Sequence, residues 1–176
     1  MSLPLPTESI ARVLHALQKR GLIGAWAVGG AAAVVYHAEP IATADMDVFT
    51  HLPQSAGGLV SLSPIYAELN RLGYTPRADA VVIDGIPVQI LPAATPLHEE
   101  AIREAIEVRA GKEMLRVFTP EHLVAIALQL GRAKDKLRIH HLLESSRTPL
   151  DLAKLDGILR RHGLSERWAA FRRDDG

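Results

Sequence analysis

The chain contains no cysteine, which excludes a disulfide scaffold, thiol catalysis and any zinc site built on thiolates. It also lacks an excess of either charge, since 20 Lys and Arg balance 20 Asp and Glu. A sequence-independent DNA binder normally carries a basic excess, and nothing in the pattern predicts sequence-specific DNA binding. No apolar run approaches the roughly 20 residues that cross a bilayer, and the N-terminus lacks the basic and apolar parts of a signal peptide. The expectation is a cytoplasmic protein with no membrane partner. What is present is 176 residues, 48% of them hydrophobic, enough for one domain, alone or with a small helical appendage.

The densest information lies between Trp26 and Phe49. Trp26-Ala27-Val28 reads as a short buried strand, and Gly29-Gly30 opens a small-residue segment, Ala31 to Tyr36, long enough for about two helical turns. Glycines at a helix start let a phosphate approach the backbone, where exposed N–H groups and the positive end of the helix dipole favour an anion. Asp45-Met46-Asp47-Val48-Phe49 then alternates as a half-buried strand does, which sets both carboxylates on one face roughly 7 Å apart. Hard oxygen ligands in that arrangement suit a divalent cation. The plainer alternatives are a tight strand-to-helix turn at the glycines and a solvated edge strand for the aspartates. Against the second, aspartate is a poor strand former, and two on one face repel unless a cation lies between them.

The remaining segments supply scaffold. Thr7 caps a helix with Ile10, Val13, Leu14 and Leu17 on one face and Gly21 as its stop. Residues 51 to 62 read as a loop. Ser63-Pro64 starts a helix that ends at Gly73. Ala80 to Ile83 and Ile86 to Leu91 flank Asp84-Gly85, the strongest local hairpin signal. From Thr95 the spacing predicts a helix through Ile106. Met114 to Phe118 adds a short strand, Thr119-Pro120-Glu121 begins a helix buried through Leu123, Ile126, Ala127 and Leu130, and Thr148 to Asp151 starts a last helix that stops near Gly163. The sequence from Arg172 to Gly176 reads as a frayed tail. The fold class is α+β: a small mixed β-sheet with flanking helices, followed by a C-terminal helical bundle. Residues 1–110 form the core with its N-terminal helix, and residues 111–176 a helical region packed on it, together one compact unit.

Gly29-Gly30, fourteen intervening residues and Asp45-Met46-Asp47 resemble the signature of minimal nucleotidyltransferases with the DNA-polymerase-beta-like fold, in particular the AbiEii-toxin-like group. Val88 to Pro92 looks like that group's third core strand, Phe118 to Leu123 like the start of its next helix, and Lys134-Asp135 like the basic-acidic pair of its C-terminal helices. The resemblance spans about residues 22 to 145. It implies transfer of a nucleoside monophosphate from a nucleoside triphosphate to an acceptor hydroxyl on RNA, protein or a small molecule, with Mg2+ or Mn2+ as cofactor and a cognate antitoxin as a candidate partner. It further implies Asp45 and Asp47 as catalytic metal ligands, Gly29 and Gly30 as binders of the triphosphate through their backbone amides, Thr43 as a phosphate or Asp45 partner, and Lys134 as a charge near the phosphates. Lys134 stands one turn before Arg138 and two before His141, which predicts a basic helix face.

Two positions depart from the family pattern. Gln89 occupies the place of the third carboxylate, where a neutral amide can bind substrate or coordinate a metal weakly but cannot act as a base, which leaves either one firmly held metal with a substrate-derived base or nucleotide binding without turnover. Ile41-Ala42 stands where an arginine is common. A noncatalytic nucleotide-binding or protein-partner module of the same fold is therefore the second reading. A metal hydrolase ranks third, because no paired-histidine spacing accompanies the acidic strand, and adjacent His140 and His141 diverge on a helix.

Overall fold

The computed structural model describes residues 7–38, 45–53, 61–77, 79–145 and 147–174. Along the chain run α1 (Thr7–Lys19), β1 (Trp26–Val28), α2 (Gly30–His37), β2 (Met46–Thr50), α3 (Ser63–Arg71), β3 (Pro76–Arg77), β4 (Ala80–Ile83), β5 (Ile86–Pro92), α4 (Pro96–Arg103), β6 (Ile106–Ala110), β7 (Glu113–Val117), α5 (Pro120–Leu130), α6 (Ala133–Glu144), α7 (Leu152–Arg161) and α8 (Ser165–Asp174). The strands form one sheet in the order β3-β4-β5-β2-β1-β7-β6. It is mixed: β2 lies parallel to β5 and antiparallel to β1, while β1 lies parallel to β7.

The sequence patterns explain the central strands. All three residues of β1 are buried, as a strand enclosed between two neighbours and covered by helices must be. Trp26 is buried with them, and its indole N–H donates to Gln18 Oε1 of α1 at 3.1 Å, so the ring's polar atom is satisfied. β2 alternates, with Met46, Val48 and Thr50 buried and Asp47 and Phe49 half-buried. The β4–β5 hairpin turns at Asp84 and Gly85, whose φ values of +49° and +83° belong to the turn type that Asp-Gly favours.

α1 buries its expected stripe, Ile10, Val13, Leu14 and Leu17, against β6 and β7. α2 is apolar nearly all round and packs on β2, α5 and α6, which is why it has no polar face. No helix among the described residues is long and apolar enough to cross a membrane.

Two expectations need correction. The helix from Thr95 ends at Arg103 rather than continuing through Ile106, which instead opens β6 and pairs with Val117. Ile102 and Ile106 stand four residues apart, so a core residue of α4 and an edge-strand residue happen to share helical spacing. β6 and β7 form an antiparallel hairpin, so the sheet runs on to Val117. The tail is also more ordered than expected. α8 reaches Asp174, with Phe171 buried, Trp168 stacked on it at 5.7 Å and the Arg172 guanidinium 5.8 Å from the Trp168 ring centre. Two aromatics three residues apart supply an apolar stripe that the charged sequence around them obscures.

Candidate functional site

The acidic wall of the site follows from strand register. Asp47 pairs with Gln89 across the parallel β2–β5 ladder. Paired residues point to the same side of a sheet, so the Gln89 amide stands beside the Asp47 carboxylate, where a third acid was expected. Asp45 is exposed just ahead of β2. Thr43, Ile41 and Ala42 lie outside the described residues.

The turn beneath this wall is shaped by the two glycines. A Cβ at Gly29 would stand 2.7 Å from the Phe49 ring and 2.8 Å from that of Phe118, closer than side-chain carbons approach. Gly30 has φ +57°, and a Cβ there would collide with the Asp47 carboxylate. The Gly29 N–H is already used, donating to Asp47 O at 2.9 Å. Gly30 and the residues after it begin α2, whose N-cap has no side-chain hydrogen bond; amides in a first helical turn have no acceptor within the helix. Any phosphate contact from this turn therefore falls to Gly30 and its successors rather than to Gly29.

The opposite wall comes from the α5–α6 junction. α5 ends at Gly131, and Arg132 caps α6. Asp135, only 1% exposed, accepts from Arg132 Nε at 2.6 Å, from Arg132 Nη2 at 3.1 Å and from Arg138 Nη1 at 3.1 Å. Its second oxygen also accepts from the Arg132 backbone N–H at 3.2 Å. Burial works to raise the Asp135 carboxyl, but the hydrogen bonds and charge of Arg132, with Arg138 behind them, outweigh burial and hold it below the usual range.

Between the walls lies a cavity of about 380 Å³, onto which Asp45, Asp47, Gln89, Gly30 and Lys134 all open, together with Arg132, Asp135 and Arg138. Its size falls in the range of small-molecule sites. Phe49, Phe118 and His98 line it too, with Phe49 ring centres 4.8 Å from His98 and 5.3 Å from Phe118. His98 Nδ1 is buried without a hydrogen-bond partner among the described residues, and burial lowers the ring's pKa, so this imidazole is neutral. Burial raises the Asp47 carboxyl, and Asp45 raises it further; Arg138, Lys134 and Arg132 pull the other way. A half-buried carboxyl whose charge is disfavoured by a second acid is what a divalent cation would relieve. Asp45 and Asp47 thus fit as the protein's share of a hard-cation site.

Sequence reasoning therefore named Asp45, Asp47, Gly30, Gln89 and Lys134, which share one cleft. It placed His141 on the same basic face, but His141 is not among the residues that open onto the cavity, and the His140 ring lies tilted against Phe171 with centres 5.1 Å apart. It missed Arg132, whose role depends on a helix break at Gly131, and it missed the aromatic floor. It also missed a second cluster. Glu100, Glu104 and His122 carry ligand atoms within 4.8 Å of one another, close enough to share a metal ion. Glu100 is already engaged there by Arg161 Nη2 at 2.6 Å and His162 Nε2 at 2.8 Å. The Arg161 hydrogen bonds, with His162 behind them, hold its pKa at about 2. Glu100 joins α4 to α7, outside the cleft.

No protein-family model matches the sequence, and no curated protein matches it. Among solved structures, the chain is similar to an antigenic nucleotidyltransferase-like protein from Paracoccidioides brasiliensis, at 12% identity over 98% of this chain and 94% of that one, with a TM-score of 0.57. It is also similar to the antibiotic-resistance factor ANT(2'')-Ia, at 14% identity over 94% of each chain, with a TM-score of 0.52. At this identity the likeness shows the fold, which is nucleotidyltransferase-like and extends over nearly the whole chain.

Proposed function

We propose that the protein is a metal-dependent nucleotidyltransferase that moves a nucleoside monophosphate from a nucleoside triphosphate to an acceptor hydroxyl. The observation that carries this reading is the cleft in which Asp45, Asp47, Gln89 and Lys134 meet beside the N-terminus of α2. Four residues spread over ninety positions of sequence, singled out by a family signature, converge there on a fold of the matching type.

In this reading Asp45 and Asp47 hold Mg2+ or Mn2+, which supplies neutralisation of charge on the reacting phosphate oxygens. The amide of Gly30 and the positive end of α2 bind phosphate from below. Lys134, Arg132 and Arg138 bind it from above, where their charge favours the departing pyrophosphate. The acceptor oxygen forms a bond to the α-phosphorus, the bond between that phosphorus and the bridging oxygen to the β-phosphate breaks, and pyrophosphate leaves with that electron pair. Gln89 stands where a base would take the acceptor proton and cannot accept it, so the proton passes to solvent or to the substrate's own phosphate. The acceptor class is RNA, a protein or a small molecule. The AbiEii-like placement and a cognate antitoxin rest on the sequence signature.

The test is transfer of label from nucleoside triphosphates to candidate acceptors with Mg2+ or Mn2+. Transfer should vanish in Asp45→Asn and in Asp47→Asn, and variants that transfer as well as the parent would overturn the reading. Gln89 beside Asp47 favours one alternative, a module that binds nucleotide without turning it over. That alternative predicts metal-dependent stabilisation by triphosphates with no transfer by the parent.

A further inference from the structure

We infer that Arg132, Asp135 and Arg138 form a polyphosphate clamp in which Asp135 is the positioning residue, an inference that rests on the nucleotidyl-transfer reading of the same cleft.

Asp135 does more than cap its helix. The capping bond to the Arg132 backbone N–H uses one of its oxygens, and a cap alone needs nothing further. Yet the same buried carboxylate grips two guanidinium groups, one on each side. Both arginines open onto the cleft, and the Asp47 carboxyl feels the charge of each. Without Asp135, the carboxylates left in the cleft for either arginine are Asp45 and Asp47. An arginine folded onto Asp47 would cover the oxygens that a metal needs. Asp135 thus keeps the two guanidinium groups on their own wall.

Charge and geometry then select the ligand. The wall presents Arg132, Lys134 and Arg138 against the single carboxylate of Asp135, and that excess of cations calls for an anion of more than one charge. A guanidinium carries five N–H donors. Arg132 spends Nε and one Nη on Asp135, and Arg138 spends one Nη. The remaining donors suit phosphate oxygens, which arginine contacts in planar, paired fashion. Two such groups, six residues apart at the start of α6 with Lys134 between them, span successive phosphates rather than one. The clamp contacts only phosphate, so it reads chain length and ignores the base.

The test uses inorganic tripolyphosphate, pyrophosphate and phosphate as probes, with Mg2+ present and binding followed by calorimetry on the full chain. The parent should bind tripolyphosphate most tightly and orthophosphate least. Asp135→Asn retains an oxygen for the α6 cap but loses the charge that holds both arginines. It should weaken tripolyphosphate by at least about tenfold, as expected for the loss of one or more charge-assisted hydrogen bonds, and flatten the preference for longer phosphates. In the transfer assay it should raise KM for the triphosphate by a similar factor and also lower kcat, because the same arginines favour the departing pyrophosphate. Arg138→Gln leaves the cap untouched and should weaken tripolyphosphate in the same direction. A parent that binds no tripolyphosphate, or an Asp135→Asn variant that binds it as the parent does with the length preference intact, overturns the clamp. A parent that shows the length preference and the Asp135→Asn loss, but transfers no label, upholds the clamp and overturns nucleotidyl transfer instead.

Discussion

Replacing Gly30 with alanine separates two effects that glycine usually confounds. The φ of +57° places the residue in the left-handed region, where a side chain costs about 1 to 2 kcal/mol. The second effect is contact: the new Cβ would collide with the Asp47 carboxylate oxygen, with Asp47 Cγ at 2.9 Å and Cβ at 3.2 Å. Asp47 must then leave its rotamer, a further cost of about 0.5 to 1.5 kcal/mol, and its carboxylate swings out of the position it shares with Asp45. Gly85 provides the control, because its φ of +83° is also positive while nothing lies within 4 Å of its Cβ position. Gly85→Ala should lose only the backbone contribution, about 2 to 8 °C in Tm for a chain of this length. Gly30→Ala should lose more than that and should also lose stabilisation by Mn2+ and by Mn2+ with triphosphate, which Gly85→Ala retains. The assay is thermal unfolding across a Mn2+ titration. A Gly30→Ala variant whose Mn2+ response matches that of Gly85→Ala would refute the placing of the metal on Asp47.

Two further predictions concern Gln89 and Glu100. Gln89→Asp installs a third carboxylate beside Asp47 in the same register, so Mn2+ should bind more tightly and label transfer should rise, by about tenfold if the new group accepts the acceptor's proton; unchanged metal affinity would contradict the β2–β5 register. Glu100 is held at about pKa 2 against an ordinary 4.5, so the stability it contributes is complete above about pH 4.5 and is lost as pH falls through about 2. The shift corresponds to about 3 kcal/mol, reduced to about 2 because Arg161 is 54% exposed and screened by solvent. In denaturant unfolding, the deficit of Glu100→Gln relative to the parent should be near that value at pH 7 and should shrink towards zero near pH 2; a deficit that does not change with pH would refute the assignment.

Local chemistry made much of the architecture legible. Asp84-Gly85 announces its turn because both residues tolerate positive φ, and the Thr-Pro and Ser-Pro starts mark helices because proline fits only their first turn. Asp45 and Asp47 stand out because two acids in a strand need a reason. Information that is distributed over the chain was harder to read. The partner of Asp135 is fixed by a helix break at Gly131, and nothing in the run Arg132 to Arg138 distinguishes a clamp from a solvated face. Glu100 meets Arg161 and His162 sixty residues away, a pairing that no spacing rule contains. The β6 strand was hidden because Ile106 repeats the helical interval of Ile102.

The pairing of Val28 with Val117 has a consequence for the life of the chain during synthesis. β1, three residues long, leads into the glycine turn and is held between β2 and a strand that the ribosome delivers nearly ninety residues later. At about 5 to 20 residues per second, that strand follows by roughly 4 to 18 s, and α6 with its arginines emerges later still. A nascent chain exposes its acidic strand long before it has either a fixed turn or a basic wall. Contacts so distant in sequence also slow folding once the chain is complete. The cleft is therefore completed only once α6 has emerged, and a chain interrupted before α6 would carry the aspartates without the basic wall that the proposed function sets against them.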